Sequence, residues 1–235
     1  MQTQRERISI ETADGPMPVQ LARPAAGGPF PAVIVVQEAF GLNSHIAGVA
    51  ERIAGEGYVT LAPDLFHRGG GDRTAGYDDL PRALTLMGEL TDDGIARDIA
   101  AALTVLEKHS AVRADRIGIT GFCMGGRVSY LAACALPGRI KAAVPFYGGG
   151  IPIDRTATLD APVLALFGED DPFIPLDQVH ALEAEAKRLG KRLTVHVYPK
   201  APHGFFCDER DSYRPEAAAD SWQRMTAFFA EHLKS

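Results

Sequence analysis

Short apolar runs, bounded by Gly, Pro, Asn or Asp, alternate along this chain with stretches in which apolar residues recur at helical spacing. Ala32-Val33-Ile34-Val35-Val36 is apolar at every position. A strand of that kind buries both faces, the pattern of a central parallel strand. Tyr58-Val59-Thr60-Leu61-Ala62, Ile117-Gly118-Ile119-Thr120, Ala142-Ala143-Val144-Pro145-Phe146-Tyr147 and Pro162-Val163-Leu164-Ala165-Leu166-Phe167 also read as short strands. Residues 193–198 alternate like an outer strand. Helical patterns cover 44–55, 80–90, 92–109, 127–133, 176–189 and 215–233, with Gly190 closing the fifth. The runs 8–12 and 17–22 flank Ala13-Asp14-Gly15 and predict an opening hairpin. Residues 66–79 form a Gly- and Asp-rich stretch expected to be a surface loop and a candidate lining of a site. Strands alternating with helices predict an α/β fold, a mostly parallel central sheet with right-handed crossovers and helices on both faces. No repeat or linker interrupts the pattern, so one domain over 1–235 is expected.

Composition narrows the possible functions. A net charge of −6, with 46% hydrophobic and 23% charged residues, is that of an ordinary globular chain. It argues against a nucleic-acid surface, which needs clustered Lys and Arg. No apolar run approaches the roughly 18 residues of a membrane span. The polar start, Met1-Gln2-Thr3-Gln4-Arg5-Glu6-Arg7, has no apolar core, so no secretory signal is expected. Cys123, Cys134 and Cys207 have no regular spacing and predict no disulfide framework. The expected compartment is the reducing cytoplasm, where a thiol nucleophile stays free. His45, His67, His109, His180, His196 and His232 are scattered without ligand spacing, so no metal and no cofactor is expected. Gly69-Gly70-Gly71 and Gly148-Gly149-Gly150 lack the Lys-Ser/Thr of a phosphate loop and read as turns. A small-molecule partner and a monomer or small homo-oligomer are expected.

One junction carries chemistry. Gly121-Phe122-Cys123-Met124-Gly125 stands between a buried strand and a helix. Strand, Gly-x-nucleophile-x-Gly turn and helix make a nucleophile elbow of the α/β-hydrolase fold, here with cysteine. The glycines let strand and helix approach closely, and the helix N-terminus favours a thiolate and an oxyanion. A thiol nucleophile needs a base, and the base an orienting acid. Gly168-Glu169-Asp170-Asp171 follows one buried strand, and Ala201-Pro202-His203 follows the outer one. Cys123, Asp171 or Asp170, and His203 therefore share the carboxyl edge of the sheet, in the order nucleophile, acid, histidine. The backbone N–H of Met124, and one from the loop Gln37-Glu38-Ala39-Phe40-Gly41 at Ala39, are the expected oxyanion donors. Cys134 and Cys207 are expected to be packing residues.

Gln37-Glu38-Ala39-Phe40-Gly41, Gly121-Phe122-Cys123-Met124-Gly125-Gly126, Gly168-Glu169-Asp170-Asp171 and His203-Gly204-Phe205 together resemble the dienelactone hydrolase (carboxymethylenebutenolidase) family. Ala62-Pro63-Asp64-Leu65 and Phe146-Tyr147-Gly148 extend the resemblance over nearly the whole chain. The resemblance favours Asp171 over Asp170 as the acid. It implies that Glu38 contacts the resting thiol and receives its proton, a role suited to a carboxylate taken out of water. It further implies attack of Cys123 on a lactone or ester carbonyl, an acyl-thioester, and hydrolysis by water activated by His203. Members of that family hold a substrate carboxylate with arginines, one of them a few residues after the catalytic histidine. Here Gly204-Phe205-Phe206-Cys207-Asp208-Glu209 is apolar and acidic, and Arg210 is the first arginine. Arg210 and Arg82 are the candidate cations, and Phe40 and Tyr147 either line the pocket or pack. A ligand-binding protein, a thioesterase or an acyltransferase could share the scaffold; a complete triad separates an enzyme from the first of these.

Overall fold

The computed structural model describes residues 1–70 and 73–235. Eight strands form one sheet in the order β1-β2-β4-β3-β5-β6-β7-β8. The expected hairpin is β1 (Thr3–Thr12) and β2 (Gly15–Pro24), antiparallel with Thr12 opposite Gly15. β2 also runs antiparallel to β4 (Val59–Pro63). From β4 onward every pair is parallel: β3 (Phe30–Val36), β5 (Val112–Phe122), β6 (Ala142–Phe146), β7 (Val163–Gly168) and β8 (Leu193–Tyr198). Ala32 to Val36 are fully buried, as a strand apolar on both faces requires. β8 is the edge strand and only partly buried.

Six α-helices cover the sheet: α1 (Ser44–Gly55), α2 (Leu80–Gly88), α3 (Asp92–Lys108), α4 (Met124–Ala135), α5 (Leu176–Arg188) and α6 (Pro215–Phe229). α1 and α6 meet where the Arg52 guanidinium lies over the Trp222 ring at 4.1 Å. Gly190 ends α5 at φ +65°, with its N–H on the Lys187 carbonyl. Several boundaries differ from the sequence reading; β1 begins at Thr3 and β5 at Val112, each five residues early, and three differences bear on the site and the C-terminal helix. β5 runs on through Gly121 and Phe122, because these pair with Pro145 and Phe146 in β6. The elbow helix begins at Met124, directly after the nucleophile, and the last helix passes into a π turn over Ala230–Lys234. The stretch 66–79 is more than a surface loop. It opens with a 3₁₀ turn at His67–Gly69, and its buried Ala75 donates its N–H to the Phe40 carbonyl. Gly71 and Asp72, within that stretch, lie outside the described residues.

The topology makes a crevice. From β3 the chain moves to β4 on one side, then returns across β3 to β5 on the other. The connections leaving β3 and β5 diverge at this switch point, and ligands bind beyond the carboxyl ends of such strands. Glu38 follows β3 and Cys123 follows β5, so they flank the crevice.

Close packing at the elbow depends on absent side chains. A Cβ on Gly121 would strike the Gly125 carbonyl, and one on Gly125 would strike the carbonyls of Val36 and Gln37. Gly125→Ala is therefore expected to lower stability by about 1–3 kcal/mol, the range for forcing extra atoms into a packed interior. Urea unfolding, with the slope compared between the two proteins, checks it.

Candidate active site

Cys123 sits between β5 and α4 at φ 55° and ψ −116°. A left-handed backbone is costly for a residue with a Cβ, on the order of 1–3 kcal/mol, and persists only where the surroundings enforce it. Here the Cys123 N–H is bound to the Phe146 carbonyl at 3.1 Å, and the Cys123 carbonyl accepts from Gly126 at 2.9 Å. The side chain is partly exposed and packs against a small cluster of Ala39, Phe40, Ala75 and Ala83.

His203 lies after β8 and Asp171 after β7, both buried. The Nδ1 of His203 is 2.7 Å from Asp171 Oδ2. The other carboxylate oxygen accepts from the Phe173 N–H at 2.9 Å, which locks the acid in an Asx turn. Asp170, the competing acid, is exposed, and its N–H is tied to the Ala201 carbonyl. Only Asp171 reaches the imidazole. Tyr147 and Phe173 meet the His203 ring edge-on, at centroid distances of 5.1 and 5.3 Å. Burial lowers the His203 pKa, but the Asp171 hydrogen bond and the neighbouring Cys123 side chain overcome it and raise the value to about 9. Sulfur, imidazole and carboxylate thus come from three strand ends to one place.

Met124 opens α4, so its N–H has no partner within the helix. Ala39 is the second residue of a turn closed by the Gly41 N–H on the Glu38 carbonyl at 3.2 Å, a position whose own N–H the turn leaves unused. Gly41 carries this turn at φ +92°, where a Cβ would crowd the Arg73 carbonyl at 2.9 Å.

Glu38 is fully buried. Its Oε2 accepts from the Tyr77 hydroxyl at 3.1 Å, and its Oε1 stands 3.7 Å from Arg210 Nη1. The Tyr77 oxygen in turn accepts from Asn43 Nδ2 at 3.0 Å and from Cys207 Sγ at 3.3 Å. Arg210 lies over the rings of Phe40 and Tyr77, at 5.3 and 5.4 Å. The segment after His203, unpromising in sequence, therefore returns a cation to the site. Arg82 is placed differently: its Nε donates to the Thr74 carbonyl at 2.7 Å on the exposed side of α2, while its neighbour Ala83 faces inward. Tyr147 is fully buried at φ 35°, with burial holding its phenol well above its usual pKa. It packs among Phe122, Phe146 and Phe205, so it backs the histidine. Sequence reasoning missed Tyr77, Asn43 and Phe173, and assigned Cys207 to packing. No local pattern marks them, because each acquires its place through a distant partner.

The folded-state pKa of His203 lies above its ordinary 6.5. Its ionic partners therefore contribute stability that is complete below pH 6.5 and lost as pH rises through about 9. The stability advantage of the wild type over His203→Gln is expected to narrow across this window. Denaturant unfolding at pH 6 and pH 9.5 measures it; a constant difference contradicts the assignment.

Comparison with known proteins bears on the family and the fold. The model of the dienelactone hydrolase family matches residues 17–233. A Synechocystis protein assigned as a carboxymethylenebutenolidase is 38% identical over 226 residues, 91% of each chain. A Bradyrhizobium protein assigned as a 2-oxo-3-(5-oxofuran-2-ylidene)propanoate lactonase is 34% identical over 224 residues, covering 91% of this chain and 88% of that one. The crystal structure of a Klebsiella pneumoniae protein assigned as a dienelactone hydrolase superposes with a TM-score of 0.91 at 36% identity, over 99% of this chain and 100% of the other.

Proposed function

We propose that this chain, which belongs to the dienelactone hydrolase family and is a hydrolase of the α/β-hydrolase fold, cleaves a lactone or activated ester through a Cys123 acyl-thioester. The observation that carries this reading is the His203–Asp171 hydrogen bond, with the Cys123 side chain near enough to raise the imidazole pKa and the Met124 N–H opening α4 beside it. The Cys123 thiolate attacks the carbonyl carbon, and the charge that develops on its oxygen meets the Met124 and Ala39 amides. The carbonyl re-forms and the C–O bond breaks, leaving the acyl group on sulfur. The leaving oxygen takes the proton of the His203 imidazolium, which leaves that ring neutral, and in a lactone the resulting hydroxyl stays attached to the acyl chain. His203 then removes a proton from water, which hydrolyses the thioester, and Asp171 steadies the imidazolium. Glu38 takes the thiol proton at the start. Its burial, directly before Ala39 and Phe40 that pack against Cys123, and its single hydroxyl donor support that role. The fully formed histidine–acid pair favours catalysis over a binding protein, which needs no acid behind its histidine. Three free thiols suit work in the cytoplasm.

Arg210 is the cation that supports an acidic substrate. The substrate in the name of the Bradyrhizobium relative is a carboxylate-bearing lactone. Arg210, partly exposed and stacked on Phe40 and Tyr77, has the charge and fork geometry to hold such a group.

Two measurements test these readings. With p-nitrophenyl acetate, Cys123→Ala should show no turnover above background, and His203→Ala should lose on the order of 10³-fold or more in kcat/KM. Mass spectrometry of quenched wild-type enzyme should find the acyl group on the peptide carrying Cys123. Native folding of Cys123→Ala with undiminished turnover ends the cysteine mechanism. Across a panel of lactones, Arg210→Met should raise KM for carboxylate-bearing members by about tenfold or more relative to neutral esters, the loss of one charge-assisted contact. An equal effect on both classes rejects Arg210 as the carboxylate site.

A further inference from the structure

A chain of hydrogen bonds runs from the start of α1 into the active site, and its direction follows atom by atom. The Ile46 backbone N–H, which can only donate, lies 3.1 Å from the Asn43 side chain and satisfies one of the free donors at the helix start. That atom is therefore Oδ1, and the amide cannot be turned round. Its other end, Nδ2, can only donate, and it faces the Tyr77 hydroxyl at 3.0 Å. Cys207 Sγ lies 3.3 Å from the same oxygen. A phenol has one proton and two acceptor sites. A carboxylate is a far better acceptor than a thiol, so the phenol proton goes to Glu38 Oε2, and the thiol is left to donate. Burial, with the charge of Glu38, raises the pKa of Tyr77 and pushes that of Cys207 up to about 11, so both keep their protons. The other carboxylate oxygen, Oε1, is buried and has no hydrogen-bond partner among the described residues.

We infer that Tyr77, held in place by Asn43 and Cys207, occupies Glu38 Oε2 and so directs the thiol proton to Oε1, whose nearest cation is Arg210 Nη1 at 3.7 Å; all three act as positioning residues. The inference rests on the proton-accepting role of Glu38 proposed above and adds three residues that act through it. In the step, the Cys123 S–H bond breaks and an O–H bond forms at Glu38 Oε1, leaving a thiolate and a neutral carboxyl. The groups that face Glu38 are Tyr77 before α2, Cys207 and Arg210 after His203, and Tyr147 beyond β6. His203, raised to about 9, keeps its charge through the acid range of the test.

The test is the pH dependence of Cys123 alkylation by iodoacetamide, read by mass spectrometry of the peptide carrying Cys123 in the full-length protein. Wild type is expected to show an acid limb that Glu38→Gln abolishes. Tyr77→Phe removes the proton held at Oε2, strengthens Glu38 as a base and moves the limb up by about one pH unit. Asn43→Asp keeps a capping oxygen for Ile46 but replaces the donor with an acceptor that competes for the Tyr77 proton. It should move the limb in the same direction, with circular dichroism unchanged. If both limbs coincide with wild type while Glu38→Gln abolishes it, the positioning chain is overturned and the role of Glu38 stands. A limb unaltered in Glu38→Gln overturns both. Should Tyr77→Phe not fold, Asn43→Asp decides alone.

Discussion

The backbone of Cys123 is held where a side chain is unwelcome, and the rest of the site depends on that. Its left-handed conformation lifts the sulfur off the end of β5 and starts α4 at the next residue. Contact without side chains enforces the bend. Gly125 lies against the Val36 and Gln37 carbonyls at the end of β3, and Gly126 against Phe146 and Gly148 beyond β6. The elbow is thus clamped between its two neighbouring strands. Strain at a functional position persists when packing over-determines it, and three parallel strands with fully buried interiors supply that rigidity.

The same clamp orders the remaining groups. Because β3 and β5 are neighbours across the switch point, the Glu38 turn and Cys123 flank one crevice. β7 and β8 meet closely at Gly168, where a Cβ would strike the Ala201 carbonyl, and this brings the acid loop against the histidine loop. Strand pairing therefore brings Asp171 to His203, and the side chains add the hydrogen bond of 2.7 Å between them. The imidazole is buried and still favours the charged form, because Asp171 and Cys123 together outweigh the loss of water.

Behind the nucleophile lies a second layer of polar groups, and the interior makes their geometry consequential. Glu38, Tyr77, Cys207 and Asn43 share a few hydrogen bonds where an unmatched polar atom is costly. Arg210 closes this layer from the segment after His203 and stacks on Phe40 and Tyr77. That segment is held from outside by Ser44 on Glu209 and by His45 beside Asp208. The start of α1 thereby touches both the base layer, through Asn43, and the cation loop.

The sequence by itself determined the strands, most helix bodies, the elbow turn, and the order of Cys123, Asp171 and His203 after their strands. These are written in periodicity, in glycine spacing and in what directly follows each strand, so neighbouring residues suffice to read them. Resemblance alone favours Asp171 over Asp170, and the structure gives the physical reason, since adjacent acids differ only in which one the loop turns inward. Only the tertiary structure brought Tyr77, Asn43, Cys207 and Arg210 to Glu38. The three hydroxyl contacts of Tyr77 span 34, 39 and 130 positions of chain. No local propensity encodes a meeting of that kind. It exists because a loop read as surface docks on Phe40, and because the residues after His203 fold back across the crevice.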